Sequence, residues 1–284
     1  TCGDRMEGSI ERSGVDRMID EDGDVYAKLT AVRRGWAIGA VHGDASRLKD
    51  LHGEIGARAA RGDRFVYLGN LIGYGTQMVE TLDEVLRFRR AMFAPGMESG
   101  DFAYLRGSQE EMWTKLLQIQ FAPNPREVFE WMIQQGVEAT LTAYGGRIDE
   151  ARSFMGEGAV AITRWTNALR ASTQRRVGHD ELLNSVKRAA FTENGKLLLV
   201  HAGLDPHRPL SQQGDTLWWG SGYFSAIDNA YGDVKMIVRG YDRRHEGLAM
   251  NQWTATVDAG CGFGGRLAAA CFLPDGSATE WIEI

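Results

Sequence analysis

The chain has 284 residues, a formal net charge of −6 and 43% hydrophobic residues. That suits one large globular domain with a buried core, and the mild acidity lacks the basic excess that a broad nucleic-acid surface needs. No apolar run approaches the ~20 residues needed to cross a bilayer and no leader is visible, so neither a membrane nor a nucleic acid is an expected partner.

Residues 1–30 are polar and acidic and are predicted to be an N-terminal tail or hairpin. Asp20, Asp22 and Asp24 have the spacing that opens a calcium loop, but Val25 stands where such a loop needs Gly and Ala31 where it needs Glu. From Trp36 onward, short apolar runs alternate with helical periodicity. Residues 36–41 read as a buried strand, followed by a helix with Leu48, Leu51 and Ile55 on one face and Asp44 or Ser46 as cap. Residues 65–68 and 102–105 read as further strands. The spacing of Val79, Leu82, Val85 and Leu86 predicts a helix over 76–93, and a third helix spans 109–119. This βαβαβ order implies a parallel sheet covered by helices. Residues from about 120 to 190 read as helical: Asn124-Pro125 is a cap and first turn, Phe129, Met132 and Ile133 form a stripe, and Gly136 ends the helix. Strands are predicted at 196–200, 234–238, 253–257, 266–272 and 279–282, forming a second, partly antiparallel sheet. Cys2, Cys261 and Cys271 are odd in number and lack zinc spacing, which predicts reduced thiols and a cytoplasmic setting.

Functional groups in such sheets gather on loops at the carboxyl ends of strands. Here these read Gly39-Ala40-Val41-His42-Gly43, Gly69-Asn70-Leu71-Ile72-Gly73-Tyr74-Gly75, Arg106-Gly107-Ser108-Gln109-Glu110, His201-Ala202-Gly203 and Val238-Arg239-Gly240-Tyr241-Asp242. In order and interval they resemble the serine/threonine phosphatase branch of the calcineurin-like metallophosphoesterases, whose pattern is GDxHG, GDxxDRG, RGNHE, HAG and GHT. Asp215-Thr216-Leu217-Trp218 is similar to the family's DxLW segment, and Val257-Asp258-Ala259-Gly260 with Gly264-Gly265-Arg266-Leu267 to its closing strands. The resemblance runs from about residue 34 to the end. It implies an α/β metallophosphoesterase fold, two mixed β-sheets packed as a sandwich between helices (four layers, αββα), over residues 31–284 with a helical insertion at about 120–190.

Residue by residue, the chain departs from that pattern. The first metal-binding Asp falls on Ala40, while its partner His is kept as His42. The bridging Asp falls on Asn70, the second Asp of that motif on Gly73, and its phosphate-binding Arg on Tyr74. The metal-binding Asn becomes Ser108 and the general-acid His becomes Gln109. His201 is kept, the His of GHT becomes Tyr241, and the Arg expected after the DxLW segment becomes Gly220. Two dications about 3.5–4 Å apart repel by something on the order of 20 kcal/mol at an effective dielectric of about 20, and bridging carboxylates offset that repulsion. Two imidazoles and neutral oxygens do not. The expectation is therefore a catalytically inactive pseudophosphatase, without cofactor, that serves as a binding or regulatory module for a protein partner, a phosphorylated one included. The competing expectation is a rebuilt phosphoesterase in which His42 and His201, with Asp242, Glu110 or Asp44 nearby, hold one Mn, Fe or Zn ion. Asp44 also reads as a helix cap and Glu110 as structural. Arg239, Arg243 and Arg244 cluster where GHT stood, and guanidinium forks suit phosphate or carboxylate. Trp218, Trp219, Tyr223 and Phe224 form the densest aromatic group, Trp218 expected in the core and Trp219 and Tyr223 as possible walls of a protein-binding groove.

Overall fold

Residues 25–284 are described by a computed structural model, so the Asp20, Asp22 and Asp24 spacing lies outside the described residues. The strands in chain order are β1 (Ala27–Leu29), β2 (Arg34–Ile38), β3 (Asp63–Tyr67), β4 (Phe102–Tyr104), β5 (Ala190–Thr192), β6 (Leu197–Val200), β7 (Met236–Arg239), β8 (Ala249–Met250), β9 (Thr254–Thr256), β10 (Ala268–Phe272) and β11 (Ala278–Glu283). The helices are α1 (Ala45–Arg58), α2 (Met78–Met92), α3 (Ser108–Leu116), α4 (Pro125–Gln134), α5 (Val137–Ala143), α6 (Ile148–Glu157), α7 (Ala159–Gln174), α8 (His179–Asn184) and two single turns, α9 (Thr216–Trp219) and α10 (Ser221–Phe224).

Because successive strand side chains point to opposite faces, a run that is apolar throughout is buried on both. Trp36, Ile38, Phe65 and Tyr67 pack under the helical layer of α1 to α8. Their neighbours Ala37 and Val66 face inward, where they meet Leu197, Leu199, Met236 and Val238 of the second sheet. Leu198, Val200 and Ile237 point out to the far layer, with Leu204, Leu217 and Trp218. Alanines 37, 103, 190, 255, 268 and 270 in the inter-sheet core keep the two sheets close. The result is the predicted four-layer sandwich, its second outer layer made of loops and short helices.

The first sheet runs β11-β10-β2-β3-β4, with β2, β3 and β4 parallel as the βαβαβ pattern required. The second runs β1-β5-β6-β7-β9-β8 and is mixed. Two expectations need correction. The strands at 266–272 and 279–282 belong to the first sheet: β10 lies antiparallel to β2, with Cys271 opposite Trp36. An apolar strand pattern shows burial but not the partner. The boundary at residue 31 also falls inside the fold, since β1 pairs in parallel with β5 and Leu29 is buried. Tyr26 is buried too, and its hydroxyl donates to the Leu210 carbonyl at 2.9 Å. The polar composition of 1–30 as a whole hid this short apolar end. The helical insertion occupies α4 to α8, and its last stretch gives way to β5.

Candidate functional site

The loops leaving β2, β3, β4, β6, β7 and β9 meet at one end of the sandwich and are tied by backbone hydrogen bonds. The N–H groups of Val41 and His42 donate to the Asn70 carbonyl (3.0 and 2.8 Å), Ala40 N–H to Gly240 (2.9 Å), and Tyr241 N–H to His201 (3.0 Å). Of five non-glycine residues with positive φ among the described residues, four stand on these loops: His42 (52°), Asn70 (53°), Tyr74 (61°) and His245 (51°). Each costs of order 1 kcal/mol or more and persists only where the surroundings impose it.

Three carboxylates hold this scaffold. Glu110, fully enclosed, accepts from the backbone N–H groups of Asn70, Gly107 and Leu71 at 2.8–2.9 Å and Ile72 at 3.3 Å. Burial pushes its pKa up. With both oxygens engaged, Glu110 acts as the structural group its motif position implied. Asp258 accepts from Asp242 N–H (2.7 Å), Gly260 N–H (2.8 Å) and His245 Nδ1 (3.1 Å). Burial alone would raise its pKa, but these bonds hold it below the ordinary aspartate value. Asp44 caps α1, accepting from Arg47 N–H at 3.0 Å. Of the carboxylates weighed as ligands, Asp242 is paired with Arg239 at 2.9 Å.

The positions that carry metal ligands in the resembled family are brought together, but with other chemistry. Ala40 offers no donor atom. Asn70 Oδ1 accepts from Gln109 N–H (2.9 Å) and Ser108 Oγ (3.3 Å), so the amide oxygen is used and Ser108 is turned toward it. His201 Nδ1 donates to the Leu68 carbonyl at 2.7 Å, which fixes the tautomer and leaves Nε2 a lone pair without a partner. Tyr241 stacks flat on His201, ring centroids 5.3 Å apart and 7° from parallel, and sits edge-on to His42 at 5.7 Å. Tyr74 and Phe263 also meet the His42 ring edge-on, at 5.3 and 5.2 Å. Neither ring nitrogen of His42 makes a hydrogen bond of normal geometry. Burial lowers the pKa of His42 to about 3 and that of His201 to about 4, so both are neutral imidazoles at neutral pH.

Gln109 and Gly73 form a matched pair. The Gln109 side chain fills the space in front of Gly73, where an added Cβ would lie 2.4 Å from it, and Gln109 Nε2 donates to the Gln135 carbonyl at 2.8 Å. Gly220 meets the turn after His201 through its backbone, since a Cβ on Gly203 would lie 2.1 Å from the Gly220 carbonyl oxygen.

The three arginines do not converge. Arg239 is buried, held by Thr256 Oγ1 at 2.9 Å and Asp242, with its guanidinium 4.5 Å from the Phe224 ring centre. Arg244 lies in solvent beside Glu246, 3.6 Å away. Arg243 alone reaches the cleft, at a cavity of about 180 Å³ that also meets Tyr74, Gln109, Trp131, Trp219 and Tyr241. Trp218 is buried as expected, whereas Trp219 and Tyr223 are exposed, and Trp219 pairs with Trp131 at 5.9 Å. Sequence reading missed Phe263 and Trp131. Phe263 sits inside the glycine run 260–265, which was the available signal; Trp131 reads as an ordinary helix residue until α4 is placed over the cleft.

No family model matches the chain, and no curated protein matches it. Solved structures do. One, of a protein assigned as a diadenosine tetraphosphatase, is 18% identical, with 91% of this chain and 97% of that one aligned at a TM-score of 0.54. A Saccharomyces cerevisiae protein serine/threonine phosphatase with similarity to human phosphatase PP5 is 14% identical over 95% of this chain and 88% of that one (TM-score 0.52). A cold-active protein tyrosine phosphatase is 13% identical over 89% and 80% (TM-score 0.51). At such identities the likeness concerns the fold. The chain has the metallophosphoesterase fold, and the cleft just described stands where that fold gathers its loops.

The residues present do not fit a pair of metal ions. Among the described residues, no three His, Cys, Asp or Glu side chains converge as a ligand set. The two imidazoles are flanked by Tyr241, and the carboxylates nearest them are consumed by backbone N–H groups or an arginine. The burial that excludes a proton from His42 opposes a dication still more strongly when no anionic ligand accompanies it. Among the described residues no helix is long and apolar enough to cross a membrane.

Proposed function

We propose that this chain is a non-catalytic metallophosphoesterase relative, a pseudophosphatase that works by binding. The observation that carries the reading is the stacking of Tyr241 on His201 with its edge toward His42, in a cleft without a free carboxylate. An active member of this fold needs a metal-activated water, because bulk water, with a pKa near ~15.7, is a poor nucleophile at neutral pH. Gln109 cannot protonate a leaving alkoxide, and Gly220 supplies no side chain to hold a phosphate. The partner is a protein, including a phosphorylated one, and the exposed rim of Tyr74, Trp131, Trp219, Tyr223 and Phe263 supports this with the aromatic residue types enriched at interfaces. A cytoplasmic setting is supported by the unpaired, buried thiols of Cys261 and Cys271.

One observation favours a second reading. One ring nitrogen of neutral His42 and Nε2 of His201 each carry a lone pair without a partner, and a single Mn, Fe or Zn ion on both would make a rebuilt phosphoesterase. Hydrolysis of p-nitrophenyl phosphate with each metal separates the two. The proposal expects no turnover above buffer; metal-dependent turnover abolished by His42→Asn and His201→Ala would overturn it. Ala40→Asp with Asn70→Asp is expected to leave the chain inactive, since Ser108, Gln109 and Tyr241 stay unchanged.

A further inference from the structure

Arg243 and the hydroxyls of Tyr74 and Tyr241 make no hydrogen bond or ion pair with other described residues, yet all three line the same small cavity. Both tyrosine rings are fixed edge-on to His42, so their positions are set by the fold. The Tyr74 ring also packs on the open face of Gly136, where an added Cβ would lie 2.7 Å from it. Burial keeps both phenols protonated, Tyr241 at about 12 and Tyr74 above its ordinary value, and each senses the Arg243 charge. Three residues with unpaired donors, and no carboxylate, thus line one opening. That is a site for an oxyanion.

The rest of the cavity is small, with an aromatic side and a polar side of Ser108, Gln109, Gln135 and Ser221. Trp131 of the helical insertion and Trp219 form one wall, with Met112 and Trp218 deeper in. A volume of ~150 Å³ is enough for one benzene ring, whereas drug-sized ligands occupy about 300–1,000 Å³. At about 180 Å³ this one has room for a single ring with one substituent.

We infer that the cleft binds a single aromatic ring bearing an oxyanion, with the ring against the wall that Trp131 and Trp219 form together and the anionic group on Arg243, Tyr74 and Tyr241. The inference rests on the non-catalytic reading in that it gives the former reaction cleft a ligand to hold. The same chemistry is supplied by an aromatic carboxylate or by an aryl phosphate, free or as a phosphotyrosine side chain on a partner protein.

Titration calorimetry and tryptophan fluorescence of the whole chain test it, with phenyl phosphate, benzoate and a phosphotyrosine peptide as probes and phenol and inorganic phosphate as controls. At least one aromatic anion is expected to bind about 10-fold tighter than either control, and Arg243→Met to weaken it about 10-fold. Arg243 is exposed, so that variant keeps its fold; Tyr241→Phe, which keeps the ring, should weaken binding a few-fold. Preference for benzoate assigns a carboxylate ligand, preference for phenyl phosphate a free phosphate, and preference for the peptide a phosphoprotein. Equal affinity in wild type and Arg243→Met, or no advantage of any aromatic anion over inorganic phosphate, overturns the inference. Assaying the phenyl phosphate samples for released phosphate keeps the two ideas apart. Binding with hydrolysis sinks only the non-catalytic reading, and absence of both binding and hydrolysis sinks only this one.

Discussion

His42 and His201 have no exposed surface, and burial holds their pKa values at about 3 and about 4. In the unfolded chain they titrate near ~6.5. Below that value the unfolded state gains protons that the folded state refuses, so stability is greatest above it and falls as pH drops toward the folded values. Between pH 7.5 and 5.0 each histidine should remove roughly 2 kcal/mol of unfolding free energy. His42→Asn, chosen because Asn tolerates the left-handed backbone, should reduce the loss in urea titrations by about that amount. An unchanged pH dependence would show that His42 is not a buried neutral base. Glu110 is the second residue-level test. Glu110→Gln leaves four inward N–H groups facing an amide that cannot accept from all of them, and should cost about 3 kcal/mol. A value under ~1 kcal/mol would mean that the loops are held by something else.

Between elements, Gly73 and Gln109 act as a pair. The chain has Gly73 on the loop after β3 and Gln109 at the start of α3, and the second fills the space the first leaves open. Gly73→Ala combines a φ of +94° with that collision and should destabilise by about 3 kcal/mol. In a Gln109→Ala background the penalty should fall by at least ~1 kcal/mol, because the collision goes and the backbone term stays. Additive effects would deny the pairing. β1 gives an independent test. A chain starting at residue 31 loses buried Tyr26 and Leu29 and bares the edge of β5, so it should be about 4 kcal/mol less stable than one starting at residue 25.

Across the molecule, legibility in the sequence followed the reach of each signal. Short apolar runs and period-3.6 patterns placed β2, α1, β3, α2, β4 and α3, because such signals are local. The glycine-bracketed loops placed His42, Asn70, Gln109, His201 and Tyr241 at one end, because in such sheets the loops after strands meet there. What stayed hidden was pairing at a distance: β10 beside β2, and α4 bringing Trp131 to Trp219. Charge at the site was half legible. That Ala40 and Asn70 carry no carboxylate could be read directly, and so could Asp242 and Glu246 as partners for the arginine cluster, but not which arginine each takes or that Arg243 is left over. The dispersed tyrosines became meaningful only once Tyr241 was seen lying on His201.

The central claim is that this fold has given up its metal pair, and metal content tests it most directly. The purified chain, saturated with manganese, dialysed and measured by elemental analysis, should hold well under one ion per chain. Two ions per chain, lost together on His42→Asn, would contradict the account.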